Sequence, residues 1–178
     1  KAKAGEVNKT FSLSASLPTG RSPYKINPDT ELSTGNGVYS LSAGASFSKE
    51  LEPVVAFWSV SYSHAFPAQD LDHKVQEAYI LDKVEPGDSM SVSMGLAYAL
   101  SYKVSVNSSF SYSYSRSSSY YYRGATTVLK SGDDSEGSLG FGIGWKASTK
   151  TTLSFGLSYS LTSSGFSVSC RVPFNFVL

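Results

Sequence analysis

The chain has 178 residues, a formal net charge of +1 and only 16% charged residues, enough for one ordinary domain and too evenly balanced to hold a nucleic acid by phosphate neutralisation. Its one cysteine, Cys170, excludes an internal disulfide framework and lies in register with Val168 and Val172, as a small hydrophobe would. No apolar run approaches the roughly 18 residues of a membrane helix, so any membrane span must be built from strands.

Apolar residues recur at every second position through most of the chain, the signature of β-strands. The first strand is predicted at residues 10–17, with Phe11, Leu13, Ala15 and Leu17 on one face. The second, 38–48, shows Tyr39, Leu41, Ala43, Ala45 and Phe47, and the third, 54–65, shows Ala56, Trp58, Val60 and Tyr62. The fourth, 89–101, sets Met90, Val92, Met94, Leu96, Tyr98 and Leu100 against serine, glycine and alanine. A fifth follows at 104–115. The sixth alternates Leu139, Phe141, Ile143 and Trp145 with Gly140, Gly142, Gly144 and Lys146. The seventh spans 151–162 and the eighth runs from Phe166 to the end.

The residues between the apolar ones are small and almost uncharged. A soluble sandwich also alternates, but its water-facing side should carry about a quarter or more Lys, Arg, Glu and Asp. Here Lys146 and Arg171 are nearly the only charges predicted inside strands. An all-β, antiparallel, up-and-down transmembrane barrel fits this pattern, with about eight strands in one domain over residues 1–178. The connections alternate as well: 49–53, 101–103 and 148–150 are short, whereas 18–37, 66–88 and 116–137 are long, with the tight turn 163–165 as the exception. Short periplasmic turns and long external loops are the habit of bacterial outer-membrane barrels. Aromatics gather near strand ends, Tyr39, Tyr62, Tyr112, Tyr114 and Phe166 toward the long loops and Phe47, Tyr98, Trp145 and Phe176 toward the short ones, as two interfacial girdles would. Strands favour aromatics in any case.

Val172, Phe174, Phe176 and Leu178 resemble the C-terminal segment by which outer-membrane barrels are recognised, although such segments end in phenylalanine rather than leucine. The barrel assembly machinery is the partner this implies. Pro173 lacks a donor and suits a strand end or edge. The chain opens Lys1-Ala2-Lys3-Ala4, without an initiator methionine or an apolar signal segment, as a mature protein or a fragment would.

A family resemblance is carried by Leu17-Pro18-Thr19-Gly20-Arg21-Ser22-Pro23-Tyr24, by Glu31-Leu32-Ser33-Thr34-Gly35-Asn36-Gly37, by Glu52-Pro53 ahead of Phe57, by Glu85-Pro86-Gly87-Asp88-Ser89 and by Ala97-Tyr98-Ala99-Leu100. These resemble the outer-membrane channels grouped as phenol-degradation meta-pathway transporters, which include the Fap amyloid-secretion transporter of pseudomonads. The resemblance implies a channel of about twelve strands and, in the Fap case, a trimer that exports amyloid subunits. In that family the proline-threonine-glycine segment follows several earlier strands, so the resemblance implies the C-terminal part of a wider barrel.

The barrel reading assigns a wetted lumen to Ser42, Ser46, Ser61, Ser91, Ser93, Asn107, Ser111, Gly142, Lys146, Ser158 and Arg171. An eight-stranded barrel is just wide enough for its side chains to fill, and serine and glycine would underfill it, so extra strands or a plug are expected. The rival is an eight-stranded closure with the long loops folded inward. A hydroxyl-rich wall of little charge suits a cargo unselected by sign: an unfolded polypeptide, as in amyloid export, or an uncharged aromatic solute in a passive pore. A lipid-modifying enzyme or an adhesive anchor is the non-transport alternative. His64 beside abundant serine makes no triad without geometry, so no enzyme is expected. His73 near Asp70 and Asp72 matches no metal-ligand pattern; Asp133, Asp134 and Glu136 could meet a divalent ion bridging lipopolysaccharide but read rather as a solvated loop tip, and no cofactor or metal is expected. Tyr120, Tyr121 and Tyr122 beside Arg123 read as a loop surface open to a partner, a neighbouring protomer or lipid. The expected setting is the bacterial outer membrane, with its lipid and lipopolysaccharide as partners.

Overall fold

The structure is a computed structural model and describes residues 6–26, 31–69, 71, 73–76, 79–125, 127–148, 151–163 and 165–172. Within them the chain is all β, with antiparallel pairing throughout and no helix. Eight strands form one meander: β1 (Val7–Ser16), β2 (Ser40–Leu51), β3 (Val54–Ala65), β6 (Ser89–Ala99), β7 (Val104–Ser115), β10 (Asp134–Lys146), β11 (Thr152–Ser160) and β12 (Phe166–Arg171), in that order across the sheet. Each lies where the period-two pattern predicts a strand. Four shorter strands, β4 (His73–Gln76), β5 (Tyr79–Glu85), β8 (Ser119–Arg123) and β9 (Leu129–Lys130), form a second sheet within two of the long connections.

The ladders keep every strand of the meander in facial register. One transverse row runs Lys9, Phe47, Trp58, Met94, Phe110, Leu139, Tyr159, Phe166, and the row beside it runs Asn8, Ser48, Phe57, Gly95, Ser109, Gly140, Ser158, Ser167. Large and small side chains are thus sorted onto opposite faces. Because side chains alternate strictly, a slip of one residue in any strand would put its Leu and Phe among the serines. The first row starts near the beginning of β1 and ends at the beginning of β12, at opposite ends of the meander. The sheet is therefore staggered by roughly one residue per strand, which at the usual rise and spacing is a tilt of roughly 35°.

Several expectations are corrected. β10 begins at Asp134, so Asp134 and Glu136 are strand residues rather than a loop tip. The connections read as open loops carry the second sheet, which the period-two test misses because the β5–β8 pairing slips between Leu81 and Lys83. That irregularity lets Leu81 and Val84 be buried together despite their odd spacing, since a bulge resets the alternation. The closed barrel is not seen: among the described residues β1 and β12 are the two edges of the sheet, and no pairing joins them. In the C-terminal signal, Val172 follows β12 outside any strand, and Phe174, Phe176 and Leu178 lie outside the described residues, as do Asp70 and Asp72.

The buried core of the described residues lies wholly in the long connections. Leu71, Leu81 and Val84 pack together with Tyr24, Ala68, Tyr120 and Tyr122 against them, which draws the first, third and fifth connections of the meander into one cap over one end of the sheet. Tyr120 and Tyr122 thus face this core, and Tyr121 donates a hydrogen bond to Glu85 Oε2 at 2.8 Å. The two motifs flanking residues 27–30 meet as a clasp. Arg21 N donates to Thr34 Oγ1 at 3.0 Å, and Thr34 N and Gly35 N donate to the Arg21 carbonyl at 3.2 Å each. A side chain on Gly20 would stand 2.6 Å from the Thr34 carbonyl oxygen, so glycine is what lets these two backbones touch.

Two roots of the cap are equally close. Gly87 N donates to Ser118 Oγ at 3.1 Å, Arg116 N donates to the Asp88 carbonyl at 2.8 Å, and a Cβ on Gly87 would lie 1.8 Å from the Arg116 carbonyl oxygen. Gly87→Ala is expected to cost about 1–3 kcal/mol and to speed hydrogen exchange at the Arg116 amide while the amides of β11 keep their protection. Exchange followed by mass spectrometry reads both regions in one experiment.

Candidate functional site

The small-residue face of the meander is the candidate site. All eleven residues assigned to a lumen fall on it by register: Ser42 and Ser46 on β2, Ser61 on β3, Ser91 and Ser93 on β6, Asn107 and Ser111 on β7, Gly142 and Lys146 on β10, Ser158 on β11 and Arg171 on β12. One row, Thr10, Ser46, Ser59, Ser93, Ser111, Ser138, Ser160, carries a hydroxyl on seven consecutive strands.

Hydroxyls on this face bond across strands. Ser42 Oγ donates to Ser63 Oγ at 2.8 Å, and the pairs Ser59–Ser93, Ser61–Ser91, Ser111–Ser138 and Ser158–Ser167 each close at 2.7 Å. Each such cross-strand pair contributes a few tenths to about 1 kcal/mol and lays two side chains flat along the sheet. Where one strand has glycine, its neighbour's side chain leans into the space. A Cβ on Gly140 would be 2.6 Å from Ser109 Oγ, on Gly142 2.1 Å from Asn107 Oδ1, and on Gly144 2.8 Å from Ser105 Oγ. The face is consequently thin, polar and wettable.

Sequence reasoning missed one feature of this face. Phe57 belongs to the serine register rather than the apolar one, and its ring lies over Gly95, where a Cβ would come within 2.4 Å of Cζ. It is the only aromatic on this face among the described strand residues. The signal was present in the sequence, as the one aromatic out of phase between Ala56 and Trp58. Asp134 and Glu136 also join the face at its cap end; Lys146 and Arg171 lie at the other end, as does Glu50 on β2.

On the opposite face large apolar side chains stand open. Met94, Leu96, Phe141, Ile143, Phe155 and Leu157 are each about half exposed (47–56%). Phe11 packs edge-on against Phe47 at 6.2 Å, and Phe47 stacks on Trp58 at 5.6 Å. At the cap end of this face Tyr62 Oη donates to Asp88 Oδ2 at 2.7 Å, His64 Nδ1 meets Asp88 Oδ1 at 2.6 Å, and Tyr114 Oη donates to Asp133 Oδ2 at 2.7 Å. His64 also stands edge-on to Phe66 at 4.9 Å. Among the described residues no serine hydroxyl bonds to His64, and no cluster of three or more His, Cys, Asp or Glu could hold a metal ion.

The tyrosine hydrogen bonds hold both carboxyls below the usual range, Tyr62 and then His64 acting on Asp88, Tyr114 and then the Ser117 amide on Asp133. A carboxyl that titrates lower when folded contributes its stability fully above its unfolded value, about 4, and loses it as pH falls through the lower folded value. Hydrogen exchange at the Ser117 amide, which donates to Asp133 Oδ1 at 2.7 Å, is therefore expected to hold level from pH 7 to 5 after correction for intrinsic rates and to quicken below about pH 4. Asp133→Asn should flatten that response. No family model matches the chain, so the geometry and chemistry of the two faces carry its functional reading.

Proposed function

We propose that this chain forms the wall of an outer-membrane channel, its apolar face toward lipid and its hydroxyl face toward a water-filled lumen. The observation that carries the reading is the placement of the core. Ile26, Val38, Leu71, Leu81 and Val84, the buried hydrophobics of the described residues, all belong to the cap and the connections leading into it, while the largest sheet leaves a continuous apolar face open. A water-soluble monomer rarely exposes a contiguous apolar surface of this kind. A bilayer covers it, and the aromatic and ionic groups at its cap end suit the headgroup region.

The strand tilt of roughly 35° is in the range of transmembrane barrels. The free edges of β1 and β12 are completed by strand pairing, because an open edge in hydrocarbon leaves backbone groups unsatisfied at several kcal/mol each. Passage of a polypeptide or small solute is supported by the wettable wall, and export of amyloid-type subunits by the motif resemblance to phenol-degradation meta-pathway transporters. The same reading has the chain inserted by the barrel assembly machinery, surrounded by lipopolysaccharide and assembled as a homo-oligomer.

Neighbouring positions on opposite faces give a direct test. Leu157→Arg is expected to lower the stability of the protein folded into lipid vesicles by about 2–4 kcal/mol, the cost of a cation facing mid-bilayer lipid. Ser158→Arg, one residue along and on the other face, should fold with near wild-type stability and reduce single-channel conductance. Equal penalties for both variants, or a wild-type protein that stays monomeric in water without detergent or lipid, would overturn the reading.

A further inference from the structure

The hydroxyl face divides into two halves of different character. In the half nearer the cap the serines bond one another, as the five cross-strand pairs show. In the half away from the cap, between β7 and β12, the side chains of Ser105, Asn107, Ser154, Ser169, Lys146 and Arg171 have no hydrogen-bond or ion-pair partner among the described residues. This half contains a hollow of about 600 Å³ floored by Gly142, Gly144 and Gly156. Ser105, Asn107, Ser154 and Ser169 line it, and Arg171 stands at its end.

The hollow owes its volume to the three glycines and its chemistry to what surrounds them. Ser105 and Ser169 lean into the space over Gly144 and Gly156, so each lays its hydroxyl along the floor of the hollow rather than against another serine. Asn107 offers a donor and an acceptor over Gly142. Gly144, Ser154 and Arg171 share one row, and Lys146, outside the lining of the hollow, lies on the next row through Thr152 toward the same end of the sheet. The carboxylates of this face on β10, Asp134 and Glu136, lie at the far end of the strand, and Glu50 lies on β2, separated from β10 by the three strands β3, β6 and β7. An arginine fork matches a carboxylate bidentately, with the charge-assisted bonds that are the strongest of their kind. Hydroxyls and an amide laid over a glycine floor match a ligand rich in hydroxyls, and the volume lies within the usual range for small-molecule sites.

We propose that this hollow is a binding subsite for a small polyhydroxylated carboxylate, a sugar acid or hydroxy acid, with its carboxylate on Arg171 and Lys146 and its hydroxyls on Ser105, Asn107, Ser154 and Ser169. The proposal rests on the hydroxyl face being open to solute, as in the channel reading, but needs neither conduction nor a closed wall. It also gives that face a preference by sign, which its serine-rich composition alone does not.

Saturation-transfer NMR on the folded protein in detergent micelles tests it with three probes: galacturonate, galactose, which keeps the ring hydroxyls without the carboxylate, and acetate, which keeps only the carboxylate. Galacturonate is expected to bind more tightly than either fragment, and Arg171→Gln to weaken it at least roughly tenfold, the effect of one charge-assisted pair. Arg171→Lys should recover part of the loss, and Lys146→Gln should weaken binding less. Equal binding of galacturonate and galactose, no binding of any probe to wild-type protein, or an unchanged affinity in both glutamine variants would overturn the proposal. Single-channel recording of the same preparation separates the two readings: galacturonate binding without conductance keeps the subsite and removes the channel, and conductance without binding does the reverse.

Discussion

The difference in side-chain volume between the two faces of one sheet is the constraint on which the rest of this structure depends. Alternation places Phe, Leu, Met and Trp, with Phe57 the exception, on one side and Ser and Gly on the other, and eight strands keep that sorting in register. Such a sheet can curl toward its small side at little steric cost, and the glycine face carries a hollow of about 600 Å³. The cross-strand serine pairs and the serines leaning over glycines lower the small side further, by turning hydroxyls along the wall instead of across it.

This arrangement moves the work of burial out of the sheet. In a sandwich a second sheet would cover the apolar face and supply the core. Here the second sheet is small, lies in the connections, and buries its own Leu81 and Val84 with Leu71 instead. The meander is held by its ladders, by local stacking such as Phe47 on Trp58 and, in the proposed setting, by lipid. The cap is held by hydrophobic burial, by the Arg21–Thr34 clasp and by the crossing of Gly87 with Arg116. In that proposed setting the two parts of the chain would answer to different solvents, and Asp88 and Asp133, bonded by Tyr62 and Tyr114, sit where those parts join.

How much of this was legible in the sequence follows from the same physics. All eight strands of the meander and the facial placement of the eleven polar candidates could be read off, because period-two patterning is local and each ladder preserves it. The second sheet could not. β5 carries a bulge that breaks its alternation, and its burial depends on Tyr24, Tyr120 and Tyr122, which come from connections far apart in sequence. The glycine motifs at Gly20 and Gly35 were visible as turn chemistry, yet only the fold shows that they touch each other. Phe57 was visible as an aromatic but was passed over because it sits out of phase, which is the property that puts it on the hydroxyl face.

β10 condenses the argument into one strand. Its odd positions from Leu139 to Trp145 are large and apolar, while its even positions pass from Asp134 and Glu136 through Ser138 and three glycines to Lys146. A wall of uniform serine would leave a passing solute indifferent to sign, whereas this strand sets acid at the cap end and base at the other. In a wetted lumen such a gradient meets a carboxylate with repulsion near the cap and attraction at the far end, and the field is focused by low-dielectric walls. Selectivity in the proposed pore would then come from the order of charges along a single strand, with the glycines between them keeping the path wide enough for the order to be felt.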